Sequence, residues 1–224
     1  MLDKYFGFTE INTEFAVIDS LLEHSRIDEE ELLLIGNMIK AIIKKESNDV
    51  DSIHLKIAKI RSDSNRVFEY TEEQIIQANF DYQKQYDFLR IYQRIESIST
   101  DILKLSNNIL VLSNIGGTLP DELHDYAVDI VKLLISSHEL FKQALSKYEK
   151  EKSDIIKIIH KIVECDKAIN EQVTRSIEQL YMIANQDKLS LGTFKAIENV
   201  FISLESIGNK IQESSTSLEW LLIS

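Results

Sequence analysis

The chain has 224 residues, of which 44% are hydrophobic and 28% charged, a balance that supports a packed core and excludes wholesale disorder. Its 25 Lys and Arg stand against 37 Asp and Glu, a net charge of −12, which is the wrong sign for a duplex nucleic-acid binder, so no nucleic-acid partner is expected. Six Gly and one Pro leave little turn material, which favours a few long helices over sheet.

Other features narrow the class further. The single cysteine, Cys165, cannot form an intrachain disulfide, and no basic cluster beside it would make its thiol reactive. Met1-Leu2-Asp3-Lys4-Tyr5-Phe6 lacks the basic start and apolar run of a secretory signal. No stretch reaches the roughly 18 consecutive apolar residues of a membrane span. The expected address is the cytoplasm.

Taken in chain order, the pattern predicts about six amphipathic helices and no strand. A first helix covers residues 10–45, with a bend expected near Ser25-Arg26. Ser47-Asn48-Asp49 separates it from a second helix carrying Ile53, Ile57, Ile60, Ser64 and Val67, and a break at Asn79-Phe80-Asp81 follows. The third helix is the clearest. Phe88, Ile91, Ile95, Ile98, Ile102, Leu105, Ile109 and Leu112 are apolar at alternating steps of three and four, a heptad-like stripe over residues 88–112. Gly116-Gly117 predicts its end, and Thr118-Leu119-Pro120 a new start with Thr118 as N-cap. Helices over 123–147, 154–184 and 190–222 complete the chain, the last two separated by Asn185-Gln186-Asp187-Lys188. Long amphipathic helices with short loops pack antiparallel as an elongated all-α bundle, the fold class expected here.

An internal repeat organises the bundle. Tyr92-Gln93-Arg94-Ile95-Glu96-Ser97-Ile98 is echoed by Phe201-Ile202-Ser203-Leu204-Glu205-Ser206-Ile207, a shift of 109 residues. The same shift carries Phe88 onto Ile197, Ile91 onto Val200, Ile109 onto Leu218 and Leu112 onto Leu221; only Leu105, which falls on Ser214, leaves the apolar stripe. One helix earlier it carries Ile60 onto Ile169, Arg66 onto Arg175 and Glu69 onto Glu178. The chain therefore reads as a single domain, 1–224, built from two similar three-helix units at about 10–114 and 118–224.

The common catalytic signatures are absent: no Gly-rich phosphate loop, no dinucleotide fingerprint, no nucleophile elbow and no Cys-x-x-Cys pair. Di-iron bundles need Glu-x-x-His on two helices, but the residues three before His24, His54, His124, His138 and His160 are Leu21, Asp51, Asp121, Ile135 and Lys157. No catalytic residue is therefore assigned. A metal-dependent enzyme or metal-storage bundle is disfavoured on that ground, whereas a plain helical scaffold or adaptor fits the pattern. Lys40, Lys44, Lys45, Lys56, Lys59 and Arg61 form the densest run of cations, a run that reads as a solvated, charge-mixed surface.

The repeated polar positions are more specific. Arg61 and Asn65 lie one turn apart, as do Glu96 and Thr100; the second half places Asn170 and Thr174, and Glu205 and Asn209, at the equivalent points. Each pair flanks the apolar seam, so polar groups of adjacent helices are expected to converge. Ile60-Arg61-Ser62-Asp63-Ser64-Asn65-Arg66 with Ile95-Glu96-Ser97-Ile98-Ser99-Thr100, and Ile169-Asn170-Glu171-Gln172-Val173-Thr174-Arg175 with Leu204-Glu205-Ser206-Ile207-Gly208-Asn209, resemble the paired motifs of the PhoU-like phosphate-transport regulators, in particular the short branch associated with inorganic phosphate transporters.

The resemblance spans residues 10–224 on pattern and spacing, and implies an all-helical fold of two three-helix repeats. It also implies a non-enzymatic cytoplasmic regulator, peripheral to the membrane through its partner, a membrane inorganic phosphate transporter. A homodimer or higher oligomer is expected. The family's motifs are carboxylate pairs that bind surface metal clusters, which would put iron or zinc at Arg61, Asn65, Glu96, Thr100, Asn170, Thr174, Glu205 and Asn209. Only Glu96 and Glu205 of these eight supply a carboxylate, and Arg61 supplies a cation. Hard or borderline cations need several ionised oxygens, so no cofactor is expected.

Overall fold

The computed structural model describes the backbone of residues 3–148 and 152–223 and the side chains of 13–148 and 152–223. Six helices follow one another: α1 (Asp3–Lys44), α2 (Ser47–Gln77), α3 (Tyr82–Asn114), α4 (Asp121–Ser146), α5 (Lys152–Ala184) and α6 (Leu191–Ile223). No strand occurs among the described residues. The helix runs through Ser25-Arg26, where the sequence predicts a bend, without interruption: α1 is one helix of 42 residues.

Each helix ends for a local reason. At the end of α1, Lys45 adopts φ 63°, and its N–H and that of Glu46 return to the carbonyls of Ile42 and Ala41 at 3.3 and 3.0 Å, a left-handed C-cap made without glycine. Asp81 caps α3, its side chain accepting from the Lys84 N–H at 2.9 Å. After α3, Gly116 takes φ 71°, and the Gly117 N–H donates to the Leu112 carbonyl at 2.9 Å. A Cβ on Gly117 would lie 2.6 Å from Leu112 Cδ1, so the close approach requires glycine there.

Thr118 does not cap α4 as expected. Pro120 occupies the N-cap, and the Thr118 hydroxyl instead donates to the Ile42 carbonyl at 2.6 Å, tying the α3–α4 loop to the last turn of α1. Asp121 and Glu122 in the first turn of α4 suit the positive end of the helix dipole.

The stripe read from the sequence is the core of α3: Phe88, Ile91, Ile95, Ile98, Ile102, Leu105, Ile109 and Leu112 are all fully buried. Its counterparts on α6 (Ile197, Val200, Leu204, Ile207, Ile211, Leu218 and Leu221) are buried as well. Burying each such Ile, Leu or Phe stabilises by about 1.5–3 kcal/mol before the entropy of ordering is subtracted. Ser214, the exception in the stripe, is buried but donates to the Lys210 carbonyl at 2.8 Å, so its hydroxyl is satisfied within its own helix.

Within the first half α1, α2 and α3 pack on one another, and within the second α4, α5 and α6 do the same; the halves meet where α1 contacts α4 and where α3 contacts α6. The α3–α6 pair is antiparallel: Arg94 pairs with Glu213, Asp101 accepts from Ser206 at 2.6 Å, and Asn108 donates to Ser203 at 2.8 Å. The α1–α4 pair is antiparallel too, with Thr118 at Ile42 and the ring of His138 at Ser25.

Candidate functional site

The sequence-expected polar positions of the first half come together in part. The Arg61 guanidinium donates to Glu96 Oε1 at 2.5 Å and lies 3.4 Å from Thr100 Oγ1. Its other side covers the Phe68 ring, 4.4 Å from the centroid, a stacked cation that holds the fork in place. Thr100 is exposed and also donates to the Glu96 carbonyl of its own helix at 3.2 Å. Asn65, one turn along α2, is exposed and lies outside this ion pair. Lys40, Lys44, Lys45, Lys56 and Lys59 face solvent as a charged surface should, while Arg61 turns inward.

The second half is built differently. Asn170 Nδ2 donates to Asp166 Oδ2 at 3.3 Å and Thr174 donates to the Asn170 carbonyl at 2.9 Å, so both are engaged along α5. Glu205 is half-buried and Asn209 exposed on α6. Among the described residues no hydrogen bond joins the α5 pair to the α6 pair. Asp166 Oδ1 and Asn170 Oδ1 are buried without a protein partner, and burial raises the Asp166 pKa.

These donor sets do not fit the metal cluster that the motif resemblance implies. In the first half the one carboxylate, Glu96, is already neutralised by Arg61 at 2.5 Å. Nowhere among the described residues are three or more His, Cys, Asp or Glu side chains arranged to hold a metal ion.

The most unusual polar feature lies deeper. His24, Asp28 and Glu31 occupy one face of α1 and are completely buried, with Ser25 beside them and His138 of α4 opposite, also completely buried. His24 stacks on Phe68, ring centroids 3.8 Å apart. His138 Nε2 lies 3.3 Å from Ser25 Oγ and 3.9 Å from Asp28 Oδ2. Ser99 of α3 donates to Glu31 Oε2 at 2.7 Å. Both ring nitrogens of His24, both oxygens of Asp28, Glu31 Oε1, Arg61 Nη1 and His138 Nδ1 have no protein hydrogen-bond partner, a concentration of unsatisfied groups that native interiors seldom carry.

Burial sets the charge state of this layer. Removal from water holds the Asp28 pKa well above the ordinary carboxylate range, against the lowering effect of Arg61, and pushes Glu31 up to about 8 against the hydrogen bond from Ser99. The same desolvation lowers His24 to about 3 and His138 to about 4. These shifts favour the neutral imidazole for both histidines and the protonated carboxyl for both acids. The layer then carries only the mutually compensating charges of Arg61 and Glu96.

The layer was not among the positions that motif spacing singled out. A signal existed: Val17, Leu21, His24, Asp28, Glu31, Ile35, Met38 and Ile42 run at alternating steps of four and three, so the three polar residues hold core positions of a heptad pattern.

No family model matches the chain, and no curated protein matches its sequence. Solved structures do. A PhoU-like protein from Shewanella oneidensis MR-1 superposes with a TM-score of 0.81 at 13% identity, over 92% of this chain and 99% of that one. PhoU from Pseudomonas aeruginosa gives 0.77 at 13% identity, over 95% and 98%. The phosphate transport system regulatory protein PhoU from Streptococcus pneumoniae gives 0.66 at 14% identity, over 95% and 96%. The chain has the PhoU-like fold over 92–95% of its length.

Proposed function

We propose that this protein is a non-enzymatic regulator of phosphate transport that acts by docking on a membrane phosphate transporter. The observation that carries the reading is the likeness of fold over 92% or more of the chain to proteins described as PhoU or PhoU-like. The polar pairs add a consistent feature: Arg61 meets Glu96 directly, a contact that stands where the family's motif would gather carboxylates around a metal. On this reading the protein works through protein contacts and requires no cofactor. It resides in the cytoplasm and reaches the membrane only through its partner, in keeping with the lack of any helix long and apolar enough to cross a membrane among the described residues.

The two halves are, on the same reading, copies of one three-helix unit, and the protein self-associates into a homodimer or higher oligomer. In support of the duplication, α3 (Tyr82–Asn114) and α6 (Leu191–Ile223) coincide at both ends under the 109-residue shift. The docking is tested by affinity purification of the tagged protein from detergent-solubilised membranes of its own cells. A phosphate transporter among the retained membrane proteins is the expected result. Quantitative recovery of the tagged protein with no transporter, in cells shown to express one, contradicts the proposal.

A further inference from the structure

The buried layer of α1 has a property that a merely tolerated polar core does not require: with its histidines neutral, its charge balances only when Asp28 and Glu31 are both protonated. From α1 it receives His24, Asp28 and Glu31; from α2, Arg61; from α3, Tyr92 and Glu96, with the Ser99 hydroxyl; from α4, His138, with Glu139 and the Lys142–Glu29 ion pair near it. Arg61 is already matched by Glu96. If Asp28 and Glu31 were both ionised, two further negative charges would lie at 0% exposure, with neither Asp28 oxygen hydrogen-bonded and only one Glu31 oxygen served. Uncompensated charge is not stable in such a place. The interior must hold protons or α1 must move.

We propose that this layer is a proton-binding site that couples the docking of α1 to pH: the carboxyls of Asp28 and Glu31 each hold a proton while α1 is packed against α3 and α4, and give them up to water when that segment of α1 lifts away. The geometry suits the role. Among the described residues the polar ties of the two carboxyls to other helices are Ser99 to Glu31 at 2.7 Å and the approach of His138 to Asp28 at 3.9 Å, with His138 also 3.3 Å from Ser25. The displaced state is favoured by base, because the freed carboxyls have ordinary acidity while the docked ones do not, which is proton linkage between two conformations. With Glu31 raised to about 8 its part of the response runs from the ordinary carboxylate range up to about pH 8, and the opposing histidine terms fade out above about pH 6.5.

Hydrogen exchange on the full-length protein between pH 6.5 and 8 tests this. After correction for the intrinsic exchange rate, opening of the α1 amides at residues 24–31 is expected to increase by about tenfold or more per pH unit. Amides at 203–215 of α6 should change much less. In the double variant Asp28→Asn, Glu31→Gln, whose amides stay neutral at all pH values, the α1 slope should vanish. A slope that persists in the double variant, or one shared equally by α6, overturns the proposal. Carbon-13 NMR of the side-chain carboxyls in the unmodified protein decides the matter if the double variant does not fold. A Glu31 carboxyl that still titrates near pH 8 supports the site, and titration complete below pH 5 overturns it.

Discussion

Arg61 Nη2 lies 2.5 Å from Glu96 Oε1, and this one contact decides what the polar motif of the first three helices can do. A guanidinium stacked on Phe68 and bonded through Nη2 to Glu96 fills with the protein's own charge the position at which a metal-binding motif would need an anion. The Arg61 side chain is 16% exposed and that of Glu96 39%, so the pair is partly screened and is worth more than a surface bridge but less than a fully buried one.

Breaking this pair should therefore be measurable without being ruinous. Arg61→Met keeps the apolar stem over Phe68 and removes the charge; we expect a loss of about 1–2 kcal/mol in urea denaturation. A double-mutant cycle with Glu96→Gln should give a coupling of about 1 kcal/mol. Coupling below about 0.3 kcal/mol would mean that the contact is geometric only.

The donor sets also make a prediction about metal. Protein purified without chelator, and a second sample reloaded with iron and zinc, should retain no stoichiometric metal by elemental analysis. One ion per chain would show that acids outside the eight motif positions rebuild a site, and would reopen a metal-dependent role.

The buried histidines predict a response on the acid side. Their folded-state pKa values, about 3 for His24 and about 4 for His138, lie below the ordinary 6.5. Each therefore contributes stability that is present above pH 6.5 and lost as pH falls toward the folded value. Asp28 and Glu31, with folded pKa values raised by burial from ordinary values of 3.8 and 4.5, run the other way and lose stability as pH rises. Two gains offset two losses between roughly pH 4.5 and 6.5, at about 1.4 kcal/mol per group per unit, so the layer contributes a plateau that falls off on both sides. In His138→Gln one of the offsetting histidine terms is gone, so the variant should gain stability relative to the parent protein as pH falls from 6 to 4; denaturant midpoints at the two pH values check it, and an unchanged difference would contradict it.

Lys45 offers a backbone test. Its φ of 63° is left-handed, and a non-glycine residue pays about 1 kcal/mol there. Lys45→Gly should stabilise the fold by somewhat less than that, since the unfolded chain gains freedom, raising the melting temperature by about 2 °C. A lower melting temperature would mean that the Lys45 side chain contributes more than its backbone costs.

The helices and the core of α3 and α6 were legible because long runs at steps of three and four leave no other periodicity to satisfy; Phe88 to Leu112 could not be read as strand. Loop chemistry was less legible. Thr118 has the right identity and place for an N-cap, but its hydroxyl finds the Ile42 carbonyl across the bundle, a partner 76 residues away that local spacing does not reveal. The candidate site was half legible. The 109-residue shift brought out Arg61 and Glu96, whereas it carries His24, Asp28 and Glu31 onto Leu133, Ser137 and Leu140, so it brings out no shared polar motif on α1 and α4. An apolar pattern interrupted by acids reads as a weak stripe, not as a buried layer, until the surrounding helices are in place.

The central claim, that the protein regulates phosphate transport, is tested most directly by phosphate uptake in its own cells with the gene deleted and then restored, at low and at high external phosphate. Deletion is expected to change uptake in at least one of the two conditions, and restoration of the chain to reverse the change. Identical uptake with and without the protein, in both conditions, would contradict it.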